Sequence, residues 1–246
     1  INMGCPAKEV TGGLSGSALM RDLDHAERLI GAAVQATTRP VTLKMRLGWD
    51  DSHRNAPELA ARAERAGAQA ITVHGRTRQQ FYNGAVDWRA VAEVKMATKL
   101  PVIVNGDIVD AATAREALAQ SGADAVMVGR GALGNPWIFR ELVGGPKPTN
   151  AERAALVRRH FDEHLVFVSE GREPNEKAGV HSFRRALGWY THGLRGASGF
   201  RARVNSLERP DEVRDAIAAF FGQAELDSQG QDQVSDDDID MKAAYG

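Results

Sequence analysis

Cysteine is almost absent from this sequence, because Cys5 is the only one among 246 residues. A lone cysteine excludes a disulfide within the chain and a zinc site built from several cysteines. Apolar runs of about 18 residues or more are also lacking, so the sequence predicts no membrane-spanning helix. Residues 1–4 have neither the basic start nor the apolar stretch of a signal peptide. We therefore expect a reducing, cytoplasmic setting.

An excess of either charge is lacking as well, since the formal net charge is -1 at pH 7. This near-neutrality excludes a uniformly basic coat for nucleic acid, although it allows a local basic patch. Hydrophobic residues make up 43% of the chain and charged residues 26%, which supports a globular core and excludes general disorder.

The first 143 residues alternate two patterns. Short apolar segments typical of buried parallel strands begin at Pro40, Ala70, Pro101 and Asp124. Alanine-rich amphipathic segments predict helices over roughly 18–36, 56–66, 87–97 and 111–121. Gly67 and Gly122 suit helix ends, and Asp87 and Asp110 suit helix N-caps. The repeat predicts an α/β fold with a parallel sheet and outer helices.

Five chemically interesting residues recur at or just after the apolar strands: Cys5, Lys44, His74, Asn105 and Gly129. The carboxyl ends of parallel strands meet at one edge, and in a (β/α)₈ barrel that edge holds the active site. We therefore favour a barrel. An open doubly wound sheet is the alternative, but no GxGxxG motif follows the first strand.

A complete barrel needs more strands than this sequence shows. We assign the visible βα units to barrel strands 4–8, and Ile1 begins at what reads as the end of a strand. The expectation is a fragment that lacks about 90 upstream residues, at ~30 residues per βα unit.

The character of the sequence changes after residues 144–150, which we interpret as a linker. Residues 151–222 show helical periodicity and predict a small helical domain, whereas residues 223–246 predict an acidic, disordered tail. Residues 181–209 carry one acidic residue, Glu208, and six arginines: Arg184, Arg185, Arg195, Arg201, Arg203 and Arg209. This cluster is either an RNA-binding surface or a solvated helix face over an aromatic core.

Two glycine-containing loops follow buried strands and favour phosphate binding. Asn105, Gly106 and Asp107 form one loop, and Gly129 and Arg130 belong to the other. Glycine lets a ligand approach backbone amides that cradle phosphate, and an arginine adds a charged contact. Tight turns without a ligand are the alternative reading.

The other candidates are single polar side chains near strand ends. Lys44 lies within a strand made for burial, which favours an anion contact or a Schiff base over an edge lysine. His74 ends its strand and is either an acid, base or ligand donor or a structural histidine. Arg76 and Arg78 face either an anionic substrate or solvent. Cys5 is either an inert small apolar residue or, because it shares a face with Lys44 and His74, a thiol able to give or take a proton, which we favour. Asn2 is a candidate hydrogen-bonding partner for a ligand.

Five segments in this order resemble the tRNA-dihydrouridine synthases, in particular the bacterial B type. They read INMGCPAKEVTGGLSGSALMRD, LKMRLGWD, ITVHGRTRQQFYNGAVDW, VIVNGDI and VGRGALGNPWIF. The resemblance extends from residue 1 to about residue 222.

The resemblance implies an FMN-binding (β/α)₈ barrel followed by a helical tRNA-binding domain. In this family NADPH reduces FMN, hydride passes from flavin N5 to C6 of a tRNA uridine, and a cysteine protonates C5. Cys5 matches that cysteine. The flavin contacts fall on Lys44, His74, Asn105, Gly106, Asp107, Gly129 and Arg130. We assign RNA contacts to Asn2, Arg76, Arg78, Arg184 and Arg185.

The sequence departs from the family in lacking its N-terminal barrel segment. We therefore expect the chain alone to be poorly stable, to bind FMN weakly and to be inactive, whereas a full-length parent is active. A monomer without metal is also expected. Two rival functions stay open: an FMN barrel acting on a free pyrimidine, like dihydroorotate dehydrogenase, and a non-catalytic RNA-binding or regulatory protein.

Overall fold

The computed structural model describes residues 1–170 and 175–223, which divide after Ala132 into two units. The predicted acidic tail lies outside the described residues from residue 224 onward. No helix in the described part of the chain is long and apolar enough to cross a membrane.

The first unit is built on one sheet of five parallel strands in chain order. The strands are β1 (Asn2–Met3), β2 (Thr42–Arg46), β3 (Ala70–His74), β4 (Val102–Asn105) and β5 (Ala125–Met127). Each predicted apolar segment contains one of these strands, so the predicted α/β sheet is confirmed.

Helices connect the strands of the first unit. They are α1 (Lys8–Thr11), α2 (Leu23–Gln35), α3 (Ala56–Arg65), α4 (Arg89–Ala97) and α5 (Ala111–Ser121), with 3₁₀ turns at Gly16–Arg21 and Arg130–Ala132.

One helix boundary differs from the prediction. The segment predicted as a single helix over 18–36 is interrupted at Asp22, which has an extended backbone and accepts a hydrogen bond from the amide of His25. This cap begins α2 and leaves a 3₁₀ turn before it. The predicted cap at Asp110 is confirmed, because Asp110 and Thr113 form a reciprocal capping box.

The two faces of the sheet have opposite chemistry. Strand register places Lys44 beside Thr72 and Arg46 beside His74, and His74 in turn beside Asn105, so these polar side chains share one face. The other face carries buried apolar residues that pack under the helices: Leu43, Met45, Ile71, Val73, Val102 and Val104. The helix-covered face supplies the core, and the polar face is available for function.

The second unit consists of helices throughout its described residues. They are α6 (Ile138–Leu142), α7 (Asn150–Ser169), α8 (Glu176–Thr191), α9 (Ala197–Ser206) and α10 (Pro210–Phe221). Their core contains Phe161, Phe183, Phe200, Phe220 and Phe221, with Trp189 and Tyr190 packed against it. These aromatic residues therefore belong mainly to the hydrophobic core of the second unit.

The unit boundary lies earlier than the boundary that the sequence suggested near residue 143. Gly134 explains the difference, because its backbone packs directly on the backbone of Trp189 in α8. A side chain at Gly134 would collide with that carbonyl group, and φ of +73° also favours glycine there. The segment that follows β5 thus packs with the helices.

Candidate active site

The predicted site residues gather at the carboxyl edge of the sheet. His74 and Asn105 are the last residues of β3 and β4, while Cys5 and Gly129 lie just beyond β1 and β5. Lys44 lies within β2, and the strand ends instead at Arg46, two residues later on the same face.

Backbone hydrogen bonds hold the Cys5 loop in place. The side-chain oxygen of Asn2 accepts from the amides of Gly4 and Cys5 at 3.0 and 3.1 Å. The amide and hydroxyl of Ser17 donate to the carbonyl of Cys5 at 3.0 and 2.9 Å. Asn2 therefore shapes the loop, and the Cys5 side chain sits on it half-buried.

Arg46 is the main site residue that sequence reasoning left without a role. Its guanidinium is buried and donates to three carbonyls, those of Gly4 at 2.8 Å, Thr77 at 2.8 Å and Phe81 at 2.7 Å. Burial lowers the pKa of Arg46 to about 10, so it stays charged at neutral pH. Arg46 ties the Cys5 loop to the loop after β3. The sequence signal for its role was a second cation in an otherwise apolar strand, two residues after Lys44 and so on the same face.

Lys44 is a half-buried cation that has no partner among the residues that the structure describes. No hydrogen bond or ion pair joins its ammonium group to any residue in the described ranges. Burial lowers the pKa of Lys44, and the neighbouring charge of Arg46 lowers it further. A partly desolvated cation of this kind is costly unless a ligand pairs with it.

His74 is a neutral imidazole in this environment. Burial, followed by the positive charges of Arg46 and Lys44, lowers the pKa of His74 to about 3. Nη1 of Arg76 lies 3.5 Å from Nε2 of His74. Because a guanidinium only donates, this contact favours a proton on Nδ1 of His74. The imidazole then serves as a hydrogen-bond donor through Nδ1.

Gly106 has a conformation that a side chain would oppose. Its φ is +120°, and a Cβ atom there would lie 2.9 Å from Cδ2 of His74 and 2.7 Å from a methyl carbon of Val86. Glycine at this position therefore lets the imidazole edge approach the loop after β4.

Asp107 carries the negative charge of the site. Its carboxylate pairs with the buried guanidinium of Arg76 and with Arg130 at 2.8 Å. Burial raises the pKa of Asp107, but the hydrogen bonds and charges of Arg76 and Arg130 outweigh this and lower it overall. Arg76 is only 2% exposed, so it serves as a partner for Asp107 and His74.

The loop after β5 is open to a ligand. A Cβ atom added at Gly129 would meet nothing closer than Asn105 Nδ2, at 4.0 Å. The same Asn105 Nδ2 donates to the carbonyl of Met127 at 2.9 Å and fixes the two loops relative to each other. Arg130 stands at the mouth with its side chain 36% exposed.

Positive charge dominates the site as a whole. Among the described residues, the carboxylate of Asp107 pairs with two cations of the site, those of Arg76 and Arg130, and three further cations lie nearby without an ion pair: Lys44, Arg46 and Arg78. No group of three or more potential metal ligands occurs among the residues that the structure describes. The arrangement suits an anionic organic ligand.

The two arginines predicted to bind RNA in the second unit have different environments. Arg184 is half-buried and donates to the carbonyl of Leu207 at 2.9 Å, whereas the side chain of Arg185 is exposed. Arg184 therefore links α8 to the end of α9, and Arg185 is the more accessible cation.

Comparison with known proteins agrees with this geometry. The family model for dihydrouridine synthase matches residues 1–225. A probable tRNA-dihydrouridine synthase of Rhodobacter capsulatus is 50% identical over 232 residues, which cover 92% of this chain and 69% of that protein. The corresponding protein of Rickettsia conorii is 47% identical, covering 90% and 67%. The tRNA-dihydrouridine synthase B of Pseudomonas aeruginosa is 40% identical, covering 94% and 70%.

The chain belongs to the dihydrouridine synthase family. It spans about two thirds of the length of these relatives. Among solved structures, a mandelate oxidase variant with benzaldehyde matches 77% of this chain and 61% of its own at 21% identity, with a TM-score of 0.31. That likeness is too weak to bear on function.

Proposed function

We propose that this protein reduces a uridine of tRNA to 5,6-dihydrouridine with FMN as cofactor. The observation that carries the proposal is the cationic edge of the sheet, where Cys5 stands on a fixed loop near the charges of Lys44 and Arg46. A site for two phosphate-bearing ligands, cofactor and RNA, requires such an excess of positive charge.

The residues present fit an FMN site. The partnerless ammonium of Lys44 and the neutral His74 suit the polar edge of the flavin ring. The open backbone at Gly129, with Arg130 beside it, suits the phosphate, and Asn105 fixes this loop. When bound, FMN reduced by NADPH supplies the hydride for C6 of the uracil ring.

Cys5 has the role of the acid. Hydride addition at C6 places negative charge on C5 and O4 of the uracil, and Cys5 donates its Sγ proton to C5 as that charge develops. The cations of Lys44 and Arg46 interact electrostatically with Cys5. Negative charge left on the sulfur is therefore met by positive charge, until solvent returns the proton.

The arginines of the two units have different roles in RNA binding. Arg76 positions His74 and Asp107, while Arg78 and the exposed Arg185 contact the RNA backbone. The helices of the second unit supply a basic RNA-binding surface, with Arg184 supporting it through Leu207. We propose that the protein acts on tRNA as a monomer in the cytoplasm.

Alkylation of the single cysteine tests this function without requiring turnover. Iodoacetamide modification of Cys5 is followed by intact mass, with Cys5→Ala as the blank. We expect an unmodified tRNA transcript, added with FMN, to slow the modification several-fold. Free uracil or orotate at the same concentration leaves the rate unchanged. Protection by the free pyrimidine alone would favour the dihydroorotate-dehydrogenase-like reading, and no protection by tRNA would contradict the proposal.

A further inference from the structure

The loop after β3 holds an arginine in contact with two aromatic rings. Cζ of Arg78 lies 4.6 Å from the centroid of the Trp49 ring and 5.0 Å from that of Phe81. Cζ of Arg21 lies 4.9 Å from the same Trp49 ring. These distances are within the range of cation–π attraction. Two guanidinium groups from distant parts of the chain therefore contact the one Trp49 ring.

Most of the hydrogen-bonding capacity of Arg78 is unused. Among the described residues its side chain makes one hydrogen bond, to the hydroxyl of Thr11 at a long 3.4 Å, and its Nε is buried without a partner. Within the described ranges no carboxylate forms an ion pair with Arg78 or Arg21. A guanidinium has five donors, so several remain for a ligand.

The acidic residues of the neighbouring loop are engaged elsewhere. Asp50 accepts hydrogen bonds from the amide of Ser52 and from the imidazole of His53. Asp51 pairs with Arg54 at 2.8 Å. Neither carboxylate neutralises the stacked arginines, so this corner of the site keeps its positive charge.

Hydrogen bonds of Arg46 connect the loop that carries Arg78 to the loop that carries Cys5. Arg46 donates to the carbonyls of Thr77 and Phe81, which flank Arg78, and also to the carbonyl of Gly4 beside Cys5. A ligand group held by Arg78 is therefore a neighbour of whatever Cys5 protonates.

We propose that Arg78 and Arg21, aligned by Trp49, form a fork for a backbone phosphate of the RNA next to the uridine that Cys5 protonates. This inference rests on the proposed function. A base turned out of its stack leaves its phosphates at the rim of the pocket. Stacking holds a guanidinium plane while its edge stays free for two parallel hydrogen bonds to phosphate. Trp49 is a positioning residue, and Phe81 supports Arg78.

Salt-dependent binding of a tRNA transcript tests the fork. We expect Arg78→Ala to lower affinity roughly tenfold and to reduce the slope of log K against log salt by about one. Arg39→Ala is the matched control, because Arg39 is an exposed arginine that precedes β2 at the opposite edge of the sheet. Its affinity and slope are expected to change little.

Trp49 variants separate alignment from charge. Trp49→Ala keeps every cation and is expected to weaken tRNA binding several-fold, whereas Trp49→Phe restores most of the affinity. Circular dichroism shows whether Arg78→Ala is folded. If it is not, Arg21→Ala replaces an exposed side chain and gives a second measurement of the salt dependence of tRNA binding. Unchanged tRNA affinity in both Arg21→Ala and Trp49→Ala would overturn the proposal.

FMN titration of the same variants identifies the source of the phosphate. The proposal expects unchanged FMN affinity in Arg78→Ala. Loss of FMN affinity with unchanged tRNA affinity would assign the fork to the cofactor and overturn the proposal. Failure of the wild-type chain itself to bind tRNA would instead refute the proposed function, and the fork with it.

Discussion

At the scale of single residues, Arg46 contributes most to the geometry of the site. It is a fully buried cation whose donors satisfy backbone carbonyls on two separate loops. Removing it leaves those carbonyls without donors in a buried place, and each such group is costly. The orientation of Cys5 thus depends on a residue that performs no chemistry itself.

This dependence predicts the behaviour of Arg46→Met. We expect a loss of about 2–4 kcal/mol of unfolding free energy in urea titration, because several charge-assisted hydrogen bonds disappear. Lys95→Met is the control, since the Lys95–Asp124 pair lies near the surface and is worth below about 1 kcal/mol. Equal stability of the two variants would contradict the role of Arg46.

The lowered pKa of His74 predicts that the protein loses stability as the pH falls. Its pKa is about 3 in the folded protein, below the ordinary value of 6.5, so the unfolded chain binds the proton more readily. The stability that His74 contributes is fully present above pH 6.5 and is lost as pH falls from there toward 3.

Comparison of the wild type with His74→Gln isolates this contribution. We expect the wild-type unfolding free energy to fall more steeply below pH 6, by up to about 1.4 kcal/mol per pH unit. Urea titrations across this range measure both slopes. Parallel curves for the two proteins would mean that His74 is protonated as readily in the folded protein as in the unfolded chain.

At the scale of secondary structure elements, the sequence predicted the βα repeat well. Apolar strands, alanine-rich helices and caps such as Asp110 are local signals, and the structure places them where the pattern indicated. The break at Asp22 and the packing of Gly134 on Trp189 were missed. Both depend on tertiary context, because the competing helical pattern around Asp22 is strong and Gly134 meets Trp189 only after folding.

The site was also predictable in part, for the residues at strand ends but not for the contacts made by irregular loops. Residues at strand ends could be located because the βα units repeat along the sequence and the ends of parallel strands meet at one edge. This repeat predicted that His74 and Asn105 lie together. The partners of Arg46 could not, because the carbonyls of Thr77 and Phe81 reach it through an irregular loop. The roles of the individual residues, Cys5 included, stay predictions.

The cap of α5 provides a test at this scale. Asp110→Ala removes the acceptor for the amide of Thr113 at 2.7 Å and should cost about 1 kcal/mol of unfolding free energy. Glu116→Ala, on the exposed surface in the middle of the same helix, should change stability by less than about 0.5 kcal/mol. Chemical denaturation measures both, and an equal effect of the two substitutions would argue against the capping box.

At the scale of the whole molecule, charge is distributed locally although the net charge is only -1. The edge of the sheet and the helices of the second unit both present arginines. Electrostatic binding of RNA is therefore compatible with a nearly neutral protein, and it should weaken steeply with salt.

The second unit gives a test of this distribution. We expect Arg185→Ala to weaken tRNA binding and to lower the salt slope by about one. Arg184→Ala should instead lower the melting temperature, because the carbonyl of Leu207 loses its donor. A normal salt slope in Arg185→Ala would exclude that residue from the RNA surface.

A titration of flavin fluorescence measures whether the cationic edge of the sheet holds FMN beside Cys5. We predict weak but saturable quenching by the wild-type chain, and an affinity lowered a further tenfold or more in Lys44→Met and in Arg130→Ala, at roughly 1.4 kcal/mol per factor of ten. Arg185→Ala should bind FMN like the wild type. Equal FMN affinity in all four proteins, or no saturable binding by the wild type, would mean that this edge of the sheet is not the FMN site.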